Sequence, residues 1–153
     1  MKGTFAAHKL HLAVQYASSA LHLPTRAQFR RWIKAALLSD ASITLRIVDE
    51  PEGRELNKKY RGKDYATNVL TFVYDDGKPL HGDIAICAPV VEREAAEQHK
   101  DLPAHYAHLA IHAALHLQGY EHEDDADATG METLETALML KLGYPDPYQM
   151  TRH

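Results

Sequence analysis

The sequence predicts an α+β fold: a single domain, residues 1–153, with a small mixed β-sheet of about four strands covered by about five helices. Three observations carry that expectation. Apolar and polar residues alternate with period two at 9–16 and 41–50, and 67–88 holds two β-rich stretches around turn-forming residues; between and beyond these run segments whose apolar residues recur at helical spacing; and no repeat, low-complexity tract or Gly/Ser linker divides the chain. Its 153 residues are one domain's worth, able to bury about two-thirds of the unfolded surface without disulfides or an obligatory structural metal.

The elements follow in order. LHLAVQY alternates as a strand within 9–16. A helix starts at Thr25, placed as its N-cap after Pro24, and carries Phe29, Trp32, Ile33, Ala36 and Leu37 on one face. ASITLRIVDE alternates Ile43, Leu45 and Ile47 inward with Thr44 and Arg46 outward, and Glu52 to Tyr60 reads as a short polar helix. TNVLTFVY and DIAICA are β-rich and flank the turn-forming DDGKPLHG, which predicts an antiparallel pair within 67–88, with Phe72 in the core. Pro89 opens a helix through Glu97. Leu102 to Leu117 forms a long apolar-faced helix, and Thr129 to Leu142 a last amphipathic one, carrying Met131, Leu134, Leu138 and Leu142 and ending at Gly143.

A formal net charge of −4 argues against coating nucleic acid by bulk attraction, so a polyanion must be met by a local patch. One candidate exists: over 54–63, Arg54, Lys58, Lys59, Arg61 and Lys63 stand against Glu55. A solvated helix face is the bland alternative. The single cysteine, Cys87, excludes an internal disulfide framework, and neither a basic-then-apolar leader nor an apolar run near 18 residues is present, so the expected setting is soluble, reducing and cytoplasmic, without a membrane.

The stretch AIHAALHLQGYEH carries the chemistry. His112 and His116 lie four residues apart, one above the other on a helix face, and Gly119 can end that helix and turn the chain back to bring His122 alongside. Three neutral imidazoles suit zinc with its fourth position kept for water, whereas structural zinc sites are closed by four ligands and favour cysteine. Among eleven histidines, His105 and His108 fall one or two turns before the site and are read as ordinary. The same frame holds zinc in metzincin peptidases, where a glutamate after the first histidine is the general base; here that position is Ala113, which cannot take a proton. Glu123, Asp124, Asp125 and Asp127 read as a solvated loop or as partners of the next helix's dipole.

These blocks, together with LNKKYRGKDYATNVLTF at 56–72, HGDIAIC at 81–87, GMETLE at 130–135 and the terminal LGYPDPY, resemble the YbeY endoribonuclease family over nearly the whole chain. The resemblance implies a metal-dependent, single-strand-specific endoribonuclease with one zinc ion, acting in late maturation of the 3′ end of small-subunit (16S) ribosomal RNA and in quality control of defective ribosomes. It maps His112, His116 and His122 onto the metal ligands and Arg61 onto the family's functionally important arginine. The partners it implies are ribosomal RNA, the small subunit, a small-subunit ribosomal protein and an Era-type GTPase. Glu121 stands where the family commonly has aspartate, and Thr71 and Val73 where serine and proline are frequent.

Arg61 is physically suited to a scissile phosphate, being always charged and offering a rigid fork of donors. Lys58, Lys59 and Lys63 would extend a phosphate track, with Tyr60, Tyr65 or Phe72 as stacking surfaces for bases and Asn68 as a turn or positioning residue. Attack by water and attack by the ribose 2′-hydroxyl both fit, and imidazole ligands accept zinc, nickel, copper and iron alike. The competing reading is a non-catalytic ribosome-assembly factor with a structural metal.

Overall fold

The computed structural model describes residues 8–75, 77, 79–120 and 125–149. Among them the elements run β1 (Leu10–Ala17), α1 (Arg26–Ala35), β2 (Ala41–Val48), α2 (Glu50–Arg61), β3 (Val69–Asp75), β4 (Leu80–Cys87), α3 (Ala88–Glu97), α4 (Leu102–Leu117) and α5 (Asp125–Lys141). The strands form one mixed sheet in the order β1-β2-β4-β3. β1 and β4 each pair parallel with β2, which the helix-containing connections between them permit, and β3 pairs antiparallel with β4, as the turn signals between them predict.

The local signals act as expected at most ends. Thr25 caps α1: its hydroxyl accepts from the Gln28 N–H at 3.1 Å, while the Gln28 side chain accepts from the Thr25 N–H at 2.8 Å. α2 is longer than its polar stretch suggested, starting at Glu50 with Pro51 in its first turn and stopping at Gly62, whose φ of 71° is left-handed. α5 also begins earlier than predicted, at Asp125 instead of Thr129.

The core lies between the sheet and α1 and α4. Phe29, Trp32 and Ile33 of α1 meet Ile43, Leu45 and Ile47 of β2, Ile84 and Ile86 of β4 and a nearly all-apolar stretch of α4 from Tyr106 to Leu117. Each such side chain, once fully buried, contributes about 1.5–3 kcal/mol. Gly82 sets how closely α4 lies on the sheet: a Cβ there would stand 2.9 Å from the Phe72 carbonyl oxygen and 3.0 Å from Leu117 Cδ2. The outer edge of β1 is covered by α1, whose Arg30 and Arg26 donate to the carbonyls of Leu10 and Val14 at 2.8 and 3.3 Å.

Candidate metal centre and phosphate site

α4 is buried on nearly all sides, so histidines on it are held among packed neighbours. His112 and His116 sit on consecutive turns with their rings nearly parallel, 17° between planes and 6.3 Å between centroids. Immediately after, Gly119 adopts φ 96° and the N–H groups of Gly119 and Tyr120 close back on the carbonyls of His116 and Leu115 at 3.1 Å each. The predicted glycine turn is therefore present. His122, the third expected ligand, lies outside the described residues, as do Glu121, Glu123 and Asp124. Among the described residues no set of three metal-ligating side chains converges.

What holds the two rings is a carboxylate and a hydroxyl. His112 Nδ1 lies 2.9 Å from Glu135 Oε2, and His116 Nδ1 lies 2.9 Å from Thr71 Oγ1. Glu135, 1% exposed in the middle of α5, also meets His108 Nε2 at 3.3 Å and accepts from the Tyr148 hydroxyl. Burial by itself would raise this carboxyl; hydrogen bonds from His108 and His112, and the charge of those rings, outweigh it and hold the group at about 2. Glu135 is thus an acceptor only, and His112 Nδ1 must be the donor. Burial, and then the bond to Glu135, raises the Tyr148 hydroxyl above its ordinary range, so it remains a donor.

With Nδ1 committed, Nε2 is the nitrogen that each ring would offer a metal. A ligating imidazole whose other N–H is fixed by a carboxylate or a neutral oxygen is the usual construction of such sites. The donor set fits zinc or a similar divalent transition ion.

Arg61 ends α2 next to this centre. Its guanidinium donates through Nη2 to the Thr71 carbonyl at 2.8 Å and through Nη1 to the Tyr60 carbonyl at 3.3 Å, and it lies 5.4 Å from the centre of the Phe72 ring. Thr71 therefore carries His116 on its hydroxyl and Arg61 on its carbonyl. The basic patch, by contrast, divides. Arg54 is matched by Asp64 in a two-pronged ion pair at 2.8 and 3.0 Å, and the predicted excess of positive charge stopped one residue short of that aspartate. Lys58 also acts on Asp64, while Lys59 lies 5.2 Å over the Tyr60 ring and Lys63 is exposed beyond the helix. Lys58, Lys59 and Arg61 occupy the last turn of α2, where the helix dipole accounts for part of their presence.

A family model described as Endoribonuclease YbeY matches residues 14–143. The chain belongs to the YbeY family. Among curated relatives named Endoribonuclease YbeY, that of Nitrosospira multiformis is 57% identical, the match covering 92% of this chain and 82% of the relative. That of Nitrosomonas europaea is 59% identical, over 92% of this chain and 85% of the relative. A solution structure of a Thermotoga maritima protein superposes with a TM-score of 0.59 at 25% identity, covering 86% of this chain and 88% of that one.

Three side chains at the centre were not predicted as participants. Glu135 stands at the end of the family block GMETLE and Tyr148 in the terminal PDPY; a carboxylate between Met131 and Leu138 on the apolar face of α5 was the available signal. Thr71 is reached from β3. One expectation needs correction. Phe72 is not core: it lies half-buried on the face of the sheet that α2 covers only in part, 5.0 Å from the Tyr60 ring. His105 and His108 are each hydrogen-bonded, to Glu94 and to Glu135, and His108 shares that second carboxylate with His112. Asn68 donates to both oxygens of Glu94, at 3.1 and 3.3 Å.

Proposed function

We propose that this chain is a single-strand-specific, metal-dependent endoribonuclease with zinc held by His112, His116 and His122. Family membership supports the nuclease activity on RNA. The observation that carries the site assignment is Thr71, one residue that fixes His116 through its hydroxyl and Arg61 through its carbonyl. A permanent cation with a rigid fork of donors thus stands beside a histidine frame whose Nδ1 atoms are already committed.

A divalent metal at that frame would supply Lewis acidity toward the phosphodiester and its nucleophile. The protein's own contributions are orientation and charge. Glu135 and Thr71 fix the ring planes of His112 and His116; Arg61, anchored through two carbonyls, presents donors to the non-bridging oxygens on which charge grows in the pentacoordinate transition state. Ala113 offers no proton acceptor, which separates this centre from the peptidases that share its spacing. The resemblance supports the narrower assignment: maturation of the small-subunit ribosomal RNA 3′ end and quality control of defective ribosomes in the cytoplasm, with the small subunit, one of its proteins and an Era-type GTPase as partners. Among the described residues no helix is long and apolar enough to cross a membrane.

The test is cleavage of single-stranded RNA by a nuclease-free preparation, with and without chelator, and with end-group analysis of the products. His116→Ala should abolish cleavage and Arg61→Ala should lower it by ~10²–10³-fold, both leaving the fold intact. Undiminished cleavage by both variants would identify a contaminant and remove the proposal. A 2′,3′-cyclic phosphate would assign attack to the ribose hydroxyl, a simple monophosphate to water.

A further inference from the structure

The two faces of β3 differ. Side chains alternate along a strand, so Thr71 turns toward α4 and His116, and Phe72 turns to the opposite face of the sheet. On that opposite face Tyr60 of α2 meets Phe72 edge-on, and Tyr74 stands beside them, its hydroxyl donating to Asp83 at 2.6 Å. Together with Leu56, Thr44 and Arg46 these residues line a cleft of about 230 Å³. That is below the roughly 300–1,000 Å³ of pockets that enclose a whole ligand, and suits a flat group laid against a ring. Tyr60 and Tyr74 are 50% and 70% exposed, a large aromatic surface left open to water.

Charge decides what such a surface can hold. Arg46 is matched by Glu52 in a two-pronged pair at 2.6 and 3.0 Å, and Asp83 adds a carboxylate that is in no ion pair among the described residues. The interior of the face therefore carries no positive excess and would not bind phosphates. The cations lie at its rim instead: Lys59 over Tyr60 and Arg61 over Phe72, neither of them in an ion pair among the described residues. Aromatic rings inside and unmatched cations at the border fit a single strand whose bases stack while its backbone stays at the edge.

We propose that bases of single-stranded RNA stack on Tyr60, Phe72 and Tyr74, the strand bending round the β3 edge so that Arg61 holds a phosphate between this face and the histidine side. The inference rests on the endoribonuclease reading above and adds the path of the substrate. It also chooses among the aromatic residues: Tyr65 lines a separate shallow depression with Arg54 and Asp64 and takes no part. A duplex, whose bases are already stacked and paired, cannot use the face, which would give the selection for single strands a location.

Two measurements on the full-length, metal-loaded protein test it. In steady-state cleavage of single-stranded RNA, Tyr60→Ala and Tyr74→Ala should each raise KM about five- to tenfold with kcat nearly unchanged, and Tyr60→Phe and Tyr74→Phe should restore it. With wild-type protein, single-stranded RNA carrying 5-iodouridine should photocrosslink to Tyr60 or Tyr74 and not to Tyr65, a readout that needs no variant to fold. Unchanged KM in both alanine variants, or crosslinks confined to other residues while the wild type still cleaves, would overturn the stacking surface and leave the nuclease reading standing. No cleavage of single-stranded RNA by the wild type would overturn both.

Discussion

His105 and His108 share α4 with His112 and His116, yet the two pairs use opposite ring nitrogens. In the first pair Nε2 is committed, to Glu94 at 3.0 Å and to Glu135 at 3.3 Å, and Nδ1 is buried with no hydrogen-bond partner among the described residues. In the second pair Nδ1 is committed, to Glu135 and to Thr71, each at 2.9 Å. Residue type is the same throughout and each pair spans about one helical turn, three residues in the first pair and four in the second; what differs most is where the neighbouring elements place an acceptor. α3 and α5 bring carboxylates to the far nitrogen of the first pair, whereas α5 and β3 reach the near nitrogen of the second. Rings held by Nδ1 leave Nε2 for the ion proposed above, so on that proposal the acceptors, not the histidines, divide the stripe into a structural half and a functional one.

The sharpest way to break that division is to remove one ring from each half. His112→Ala or His116→Ala should release the metal and lower RNA cleavage by more than the ~10–100-fold typical of losing an outer contact. His105→Ala should keep both metal content and cleavage and instead lower stability by about 1–3 kcal/mol, since Glu94 loses a buried partner. Elemental analysis and denaturant unfolding of the two variants read the two halves separately; loss of metal from the His105 variant would abolish the distinction. Arg61→Ala comes next, with kcat down ~10²–10³-fold and metal content unchanged, as expected for a donor to developing charge. Arg61→Lys should recover little, because an ammonium cannot span two oxygens with a rigid fork.

Glu135 touches both halves, which makes it the place to sharpen the comparison. Glu135→Gln retains the shape and removes the charge that fixes His112 and His108. Zinc affinity measured by competition with a chelator should fall ~10–100-fold. Thr71→Val should weaken it toward the lower end of that range and Thr71→Ser should not. Equal affinity in all three would mean that the acceptors do not orient the rings.

How much of this was legible in the sequence follows from the range of the forces involved. The Thr25 cap, the glycine turn after His116 and the β3/β4 pairing are set by residues a few positions apart, and the sequence predicts each of them. The His112 and His116 stack follows from helix pitch alone. Parallel pairing of β2 with β1 and β4 did not follow, because nothing local to those strands encodes their partners. For the same reason Glu135, Tyr148 and Thr71 escaped. Each acts on a histidine between 23 and 45 positions away, and spacing within α4 carries no record of what packs on it. Phe72 was misjudged because a β-rich pattern shows that a strand has two faces without showing that one of them stays open.

The smallest effect concerns the structural half and pH. Burial raises the Glu94 carboxyl, but hydrogen bonds from His105 and Asn68 outweigh it, and the net shift is downward from 4.5. A carboxyl that is more acidic folded than unfolded contributes stability fully present above its unfolded value and lost as pH falls through its folded one. Wild type should therefore exceed Glu94→Gln in Tm near neutrality, and the gap should close as pH is lowered below about 4.5. Every other acidic group is common to both proteins, including Asp49, Asp64 and Glu135 with lowered values of their own, so to first order their titration cancels in the difference. A gap that stays constant down to pH 3 would show the Glu94 contacts to be neutral hydrogen bonds and would remove the electrostatic part of the contrast between the two halves of α4.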